Sequence, residues 1–271
     1  MPELPEVETT LRGIQPFIQN HTVTQVIVRH TNLRWPIPKN LKKLIEGRII
    51  SQLKRRGKYL LFETKSGTLL IHLGMSGSLR ILTQQSAPKK HDHVDLVFDN
   101  EIILRYSDPR RFGAILWAEH SDQHPLLKSL GIEPLERQFN SQYLLEVAKG
   151  KKTSIKSFIM NHKIVVGIGN IYATEALFRA GIHPQTAAGK IDAAHMHQLV
   201  QAIQWILRKA IKQGGTTLKD FSQSDGKPGY FSQHLKVYGR AGMPCEKCGT
   251  ILKACRLGQR NTVFCVSCQK R

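Results

Sequence analysis

The 271-residue chain is short of acid, of cysteine and of long apolar runs. Its 20 Asp and Glu face 40 Lys and Arg, a formal net charge of +20 at pH 7. A two-to-one excess of cations points to a polyanionic partner, nucleic acid first and an anionic membrane surface second. No run of about 18 apolar residues occurs, which excludes a conventional transmembrane helix. Pro2, Glu3, Pro5, Glu6 and Glu8 precede any apolar stretch, so no secretory signal is expected. No cysteine precedes position 245, which excludes a disulfide framework through the body of the chain and points to a reducing, cytoplasmic setting. There is no internal repeat and no low-complexity tract.

What is present is enough for folded domains: 41% of residues are hydrophobic. The charge is uneven, +6 over residues 1–150 and +14 over residues 151–271, so the second half is the stronger candidate for gripping phosphate. Residues 5–19 have a helical pattern, with Val7, Leu11, Ile14 and Ile18 on one face and Pro5 at a position that suits a first turn. From about 22 to 118 short β-rich runs alternate with turns, among them Thr22–Arg29, Tyr59–Thr64, Thr68–Leu73, Val94–Phe98, Ile102–Tyr106 and Gly113–Trp117. That spacing predicts a sandwich or barrel. Helical periods follow near Tyr143–Ala148, Thr153–Met160 and Asn170–Ala180, then a face of Leu199, Ile203, Ile206, Leu207 and Ala210 that stops at Gly214-Gly215.

All five cysteines fall in the last 27 residues. Cys245-x2-Cys248 and Cys265-x2-Cys268 are two knuckles separated by 16 residues, the spacing of a tetrahedral four-thiolate zinc site. Such a site is closed, so one structural Zn2+ is expected, with Cys255 a bystander. Lys247, Lys253, Arg256 and Arg260 lie in and between the knuckles, where they suit phosphate contact. His91, Asp92 and His93 form the other potential ligand group, but with no further cluster nearby a metal there is the minor reading.

Initiator methionine is usually trimmed before a residue as small as Pro2, which would leave a secondary amine followed directly by Glu3. An α-amino group is neutral in roughly a tenth of molecules at pH 7, against about one lysine in 2,500. Such an amine can attack a sugar carbon and expel a base, and an adjacent carboxyl can protonate what leaves. The same pair also suits a plain lead into a helix, and residue types alone do not choose between these readings.

Several motifs occur in order along the chain. They are Met1-Pro2-Glu3-Leu4-Pro5-Glu6, Arg55-Arg56-Gly57-Lys58-Tyr59, His72-Leu73-Gly74-Met75-Ser76-Gly77, Lys90-His91-Asp92-His93, Asp108-Pro109-Arg110-Arg111-Phe112-Gly113, Val166-Gly167-Ile168-Gly169-Asn170 and the four-cysteine finger. In this the chain resembles the formamidopyrimidine-DNA glycosylase family over nearly its whole length. Leu4 favours that oxidised-purine branch over the sister endonuclease VIII group, which typically has Gly there.

The resemblance implies an α+β, multidomain fold. It would comprise an N-terminal helix plus a two-layer β-sandwich (1–130), a helical helix–two-turn–helix domain (131–236) and a C-terminal zinc ribbon (237–271). It implies a monomeric bifunctional glycosylase and abasic-site lyase that removes 8-oxoguanine and formamidopyrimidines from duplex DNA. Pro2 would be the Schiff-base nucleophile and Glu3 the proton donor in base excision, with Lys58 and Arg260 serving β- and δ-elimination. Arg260, with its high pKa, suits a phosphate clamp better than a proton donor. His91, Lys151 and Asn170 would contact DNA. Met75 would fill the vacated stack, Arg110 would meet the orphaned cytosine and Phe112 would pry the stack apart. Thr216–Tyr230 resembles the loop that closes over an extruded base.

Overall fold

The computed structural model describes residues 2–84, 86–216 and 231–270. The chain divides into two compact units, one of residues 1–128 with 213–232 and one of residues 129–212 with 233–271.

The first unit opens with helix α1 (Leu4–Ile18), whose apolar stripe Val7, Leu11, Ile14 and Ile18 is buried. Eight strands follow: β1 (Val23–Val28), β2 (Gln52–Arg56), β3 (Tyr59–Thr64), β4 (Gly67–His72), β5 (Ser78–Leu82), β6 (Asp92–Phe98), β7 (Ile103–Ser107) and β8 (Ala114–Ala118). Short helix α2 (Leu41–Ile45) lies between β1 and β2. The strands form two four-stranded antiparallel sheets, ordered β1-β6-β7-β5 and β2-β3-β4-β8.

Alternating Leu60, Phe62, Leu69, Ile71, Leu96, Leu104 and Ile115 fill one core together with the α1 stripe. These are the expected two layers, each burying a face it cannot leave in water. Strands β2 and β5 were not apparent from periodicity. Gln-Leu-Lys-Arg-Arg at a sheet edge buries only Leu53, so no alternation shows.

Helix α3 (Pro125–Lys128) ends the first stretch of the first unit, and the second unit contains α4 (Ser141–Ala148), α5 (Ile155–Ile159), α6 (Asn170–Arg179) and the 20-residue α7 (Ala193–Lys212). Helices α4 and α6 pack on α7, and α6 also meets strand β10. Asn140 and Ser154 cap α4 and α5 by accepting hydrogen bonds from Tyr143 N and Ser157 N. Gly214 and Gly215 follow α7 with φ of 76° and 79°, a left-handed stop that glycine adopts without steric cost.

The finger forms a two-stranded hairpin, β9 (Lys253–Leu257) and β10 (Arg260–Phe264), around a small core of Val237, Leu252, Val263 and Cys265. Among the described residues no helix is long and apolar enough to cross a membrane.

Candidate nucleic-acid and catalytic site

Pro2 and Glu3 are both buried, Glu3 at 2% exposure, and Glu3 is the N-cap of α1. Glu6, one turn on, holds this end in place. Its Oε2 accepts a hydrogen bond from Glu3 N at 2.9 Å, while its Oε1 accepts from Thr216 N at 2.8 Å and Thr216 Oγ1 at 2.9 Å. Gly215 permits the close approach, since a Cβ there would stand 3.0 Å from Glu6 Oε1. On sequence alone Glu6 is only an acidic residue suited to a helix N-terminus; the long-range partner gives it a role that no local signal carries. Met1 and residues 217–230 lie outside the described residues, and with them most of the segment read as a closing loop.

Lys58 occupies the second position of a two-residue hairpin turn, Gly57-Lys58, joining β2 to β3, where Arg56 pairs with Tyr59. Gly57 has φ 57°, as tight hairpins require. Arg55 fastens this turn to α1: its Nε donates to Glu8 Oε2 at 2.9 Å and its NH1 to Gly57 O at 3.0 Å. Burial alone would raise the Glu8 carboxyl, but hydrogen bonds from Arg55 and Arg12 outweigh it and hold Glu8 below the usual carboxylate range. His72 stacks against Tyr59 with ring centroids 4.8 Å apart, and its Nδ1 accepts from Gly74 N at 3.0 Å. Burial, reinforced by the positive charges of Lys58 and Arg34, drives the His72 imidazole down to about 4. A neutral ring therefore stands beside Lys58 at neutral pH.

Met75, Arg110 and Phe112 are brought together on two neighbouring turns, with the Arg110 guanidinium 5.0 Å from the centre of the Phe112 ring. Phe112 is 45% exposed, unusual for an aromatic side chain of this size. His91 lies just before β6, and its carbonyl accepts from Asp108 N at 3.0 Å.

Among the described residues, His91, Asp92 and His93 do not form a metal-ligand group. A bulge between Asp92 and Val94 breaks the strand alternation, and His93 Nε2 bonds Asp108 O at 2.9 Å. The acids instead pair with arginines. Asp95 takes Arg105 NH2 at 2.8 Å and Arg29 NH2 at 2.6 Å, and Asp92 takes Arg80 NH2 at 2.7 Å.

In the second unit, Lys151 follows the left-handed Gly150 (φ 70°). It borders a hollow of about 520 Å³ that is also lined by Lys149, Thr153, Ser157 and Asn161. Asn170 is the first residue of α6, and its Nδ2 donates to Asn261 O of the finger at 3.0 Å. Lys156, 1% exposed, reaches Thr262 Oγ1 at 2.7 Å. These two links fix the β9–β10 hairpin against the helices. Its tip, Gly258-Gln259, has positive φ at both positions, the turn that matches strand twist, and leads directly into exposed Arg260.

The Sγ atoms of Cys245, Cys248, Cys265 and Cys268 all lie within 4.8 Å of one another, and Cys255 is outside the group. A tetrahedral zinc with bonds of about 2.3 Å needs sulfurs about 3.8 Å apart. The Cys248–Cys265 and Cys245–Cys268 pairs stand at 3.4 Å and 4.0 Å. Hydrogen bonds from Thr250 draw the Cys248 thiol down to about 6, which favours the ligating thiolate. The four thiolates hold one zinc ion in a closed, structural site.

Three family models match the chain in order: the formamidopyrimidine-DNA glycosylase N-terminal domain over residues 1–115, the formamidopyrimidine-DNA glycosylase H2TH domain over 130–222, and the zinc finger found in FPG and IleRS over 242–271. The chain is 58% identical to formamidopyrimidine-DNA glycosylase of Shewanella piezotolerans over 272 residues, covering all of both chains. Among solved structures it is similar to the MutM (Fpg) protein of Thermus thermophilus, at 37% identity and TM-score 0.88, covering 99% of this chain and 98% of that one. It is also similar to a Lactococcus lactis Fpg variant in complex with Fapy-dG-containing DNA, at 33% identity and TM-score 0.92, covering all of both chains.

Proposed function

The chain belongs to the formamidopyrimidine-DNA glycosylase family, and from that premise we propose how its own residues carry out the reaction. It is a DNA glycosylase that removes oxidised purines in base excision repair. Once Met1 is removed, the Pro2 nitrogen attacks C1′ of the damaged nucleotide. The C1′–N9 bond breaks, its electron pair leaves with the base, and Glu3 supplies the proton. The attached amine sheds its N–H proton, the C1′–O4′ bond opens with its electron pair going to O4′, which takes up a proton, and a C1′=N iminium results. This makes the C2′ proton acidic; its loss expels the 3′ phosphate by β-elimination, and a second elimination expels the 5′ phosphate. Lys58 serves the first elimination, and Arg260 steadies the phosphate that departs in the second. His91, Lys151 and Asn170 belong to the DNA contacts, with Asn170 acting through the finger hairpin that it holds. Met75 and Phe112 enter the stack, and Arg110 meets the base left without its partner. The protein acts as a monomer on chromosomal DNA in the cytoplasm.

The observation that carries this reading is the buried Pro2–Glu3 pair at the start of α1, with its backbone held by Glu6. Borohydride trapping on a duplex containing 8-oxoguanine tests it. Wild type is expected to form a covalent adduct, Pro2→Gly none, and Glu3→Gln to lose base excision. An unchanged excision rate in Glu3→Gln removes Glu3 from its role. Intact mass of the purified protein must show Met1 gone, because an amide nitrogen cannot be the nucleophile.

A further inference from the structure

Met75 stands on one turn and Arg110 and Phe112 on another, and a single buried carboxylate joins the two. Asp108 is fully buried, at 0% exposure. Its Oδ1 accepts from Ser76 Oγ at 2.7 Å, and its Oδ2 accepts from Gly113 N at 2.8 Å and from Tyr106 Oη at 3.2 Å. The Ser76 hydroxyl in turn accepts from Arg110 N at 3.1 Å. Asp108 and Ser76 thus hold the residue after Met75, the backbone of Arg110 and the residue after Phe112.

The turns also touch backbone to backbone. A Cβ on Gly74 would collide with Phe112 and Gly113, and one on Gly113 would collide with Tyr106 Oη and His72 O. Among the described residues, every hydrogen-bond partner of the Asp108 carboxylate is a neutral donor. A buried carboxylate without a counter-ion is expensive, and a neutral amide would place a donor against the fixed Gly113 N–H or the Ser76 hydroxyl. What the carboxylate provides here is several directed acceptor positions at one point.

We propose that Asp108, acting through Ser76, is a positioning residue that locks the Met75 turn and the Arg110–Phe112 turn into one rigid wedge, so that both enter the duplex together as the damaged nucleotide is extruded. The inference rests on the reading of Met75, Arg110 and Phe112 given above.

The test uses the full-length, zinc-loaded protein. Extrusion is followed by stopped-flow fluorescence of 2-aminopurine beside 8-oxoguanine in a duplex, and amine chemistry by borohydride trapping on a single-stranded abasic oligonucleotide, which has no stack to open. Ser76→Ala is expected to slow extrusion about tenfold and Asp108→Asn about a hundredfold, the scale of one and two lost buried hydrogen bonds. Trapping on the single strand should stay within about twofold of wild type, which a merely structural defect would not allow. Met75→Ala serves as the gauge. If it slows extrusion while Ser76→Ala and Asp108→Asn do not, the positioning role is overturned. If Met75→Ala extrudes at the wild-type rate, the wedge reading itself fails and the proposal falls with it. An equal loss on the single strand also overturns the proposal.

Discussion

Glu6 and Thr216 are 210 positions apart, yet one carboxylate oxygen of Glu6 accepts both the backbone and the hydroxyl hydrogen bonds of Thr216. The other oxygen holds Glu3 N. Glu6→Gln should therefore leave an amide facing buried donors. A loss of about 2 kcal/mol in urea unfolding, on the scale of a charge-assisted hydrogen bond, is expected together with slower single-turnover excision. Unchanged stability and rate would show that this carboxylate positions nothing.

His72 sets a pH limit on the first unit. Its imidazole is held at about 4 in the fold, by burial first and then by Lys58 and Arg34, with Asp108 opposing. Below its unfolded value of about 6.5 the unfolded chain binds a proton that the folded chain refuses, so stability falls as pH drops from about 6.5 to 4. The loss is at most about 3 kcal/mol, since part of the residue remains at the surface. His72→Asn keeps an acceptor for Gly74 N and cannot titrate, so its melting temperature should vary less over this interval. The comparison is a set of thermal melts across that pH range.

Lys151 is exposed beside its hollow, so its removal leaves the core untouched. Lys151→Ala should weaken binding to all duplexes alike and reduce the slope of log K against log salt by about 0.9, the contribution of one phosphate contact. Titrations at several salt concentrations measure it. A sequence- or lesion-dependent loss with an unchanged slope would contradict a phosphate role.

Zinc removal should open the finger, because its core of Val237, Leu252 and Val263 is too small to fold unaided. Cys268→Ser is expected to lose the stoichiometric zinc seen by elemental analysis and to weaken duplex binding at least tenfold, about 1.4 kcal/mol. Arg260, presented at the turn of the same hairpin, loses its fixed position with the metal. Retention of full affinity in a zinc-free protein would separate the finger from DNA binding.

Much of the fold was legible because its patterns are local. The α1 stripe and the α7 face repeat at the helical period, and β3 and β4 are short apolar runs buried as continuous stretches, so their burial follows from composition and spacing. The edge strand β2 was not legible, since strands at an edge need bury little, and the polar finger hairpin β9–β10 has the same weakness. Asp92 and Asp95 sit beside histidines in the sequence but beside Arg80, Arg105 and Arg29 in space, which turned a potential metal group into a set of ion pairs. Ser76 and Asp108 carry no local signal at all, because their meaning lies in a hydrogen bond between turns 32 residues apart.

The scarcity of acid across the chain and the clustering of its cysteines determined, from sequence by itself, a polyanion-binding protein, four of whose five thiols form one metal site. Residue type and spacing suffice for that, since charge sums along a chain and two knuckles define a tetrahedron. Only the tertiary structure decided which carboxylates do which work. Glu3 is buried at a helix start, Glu6 clamps a distant stretch of chain, Asp92 and Asp95 neutralise arginines, and Asp108 joins two turns through the neutral donors of Ser76, Tyr106 and Gly113. The carboxylates are chemically alike, and what separates them is the set of donors that folding brings within about 3 Å.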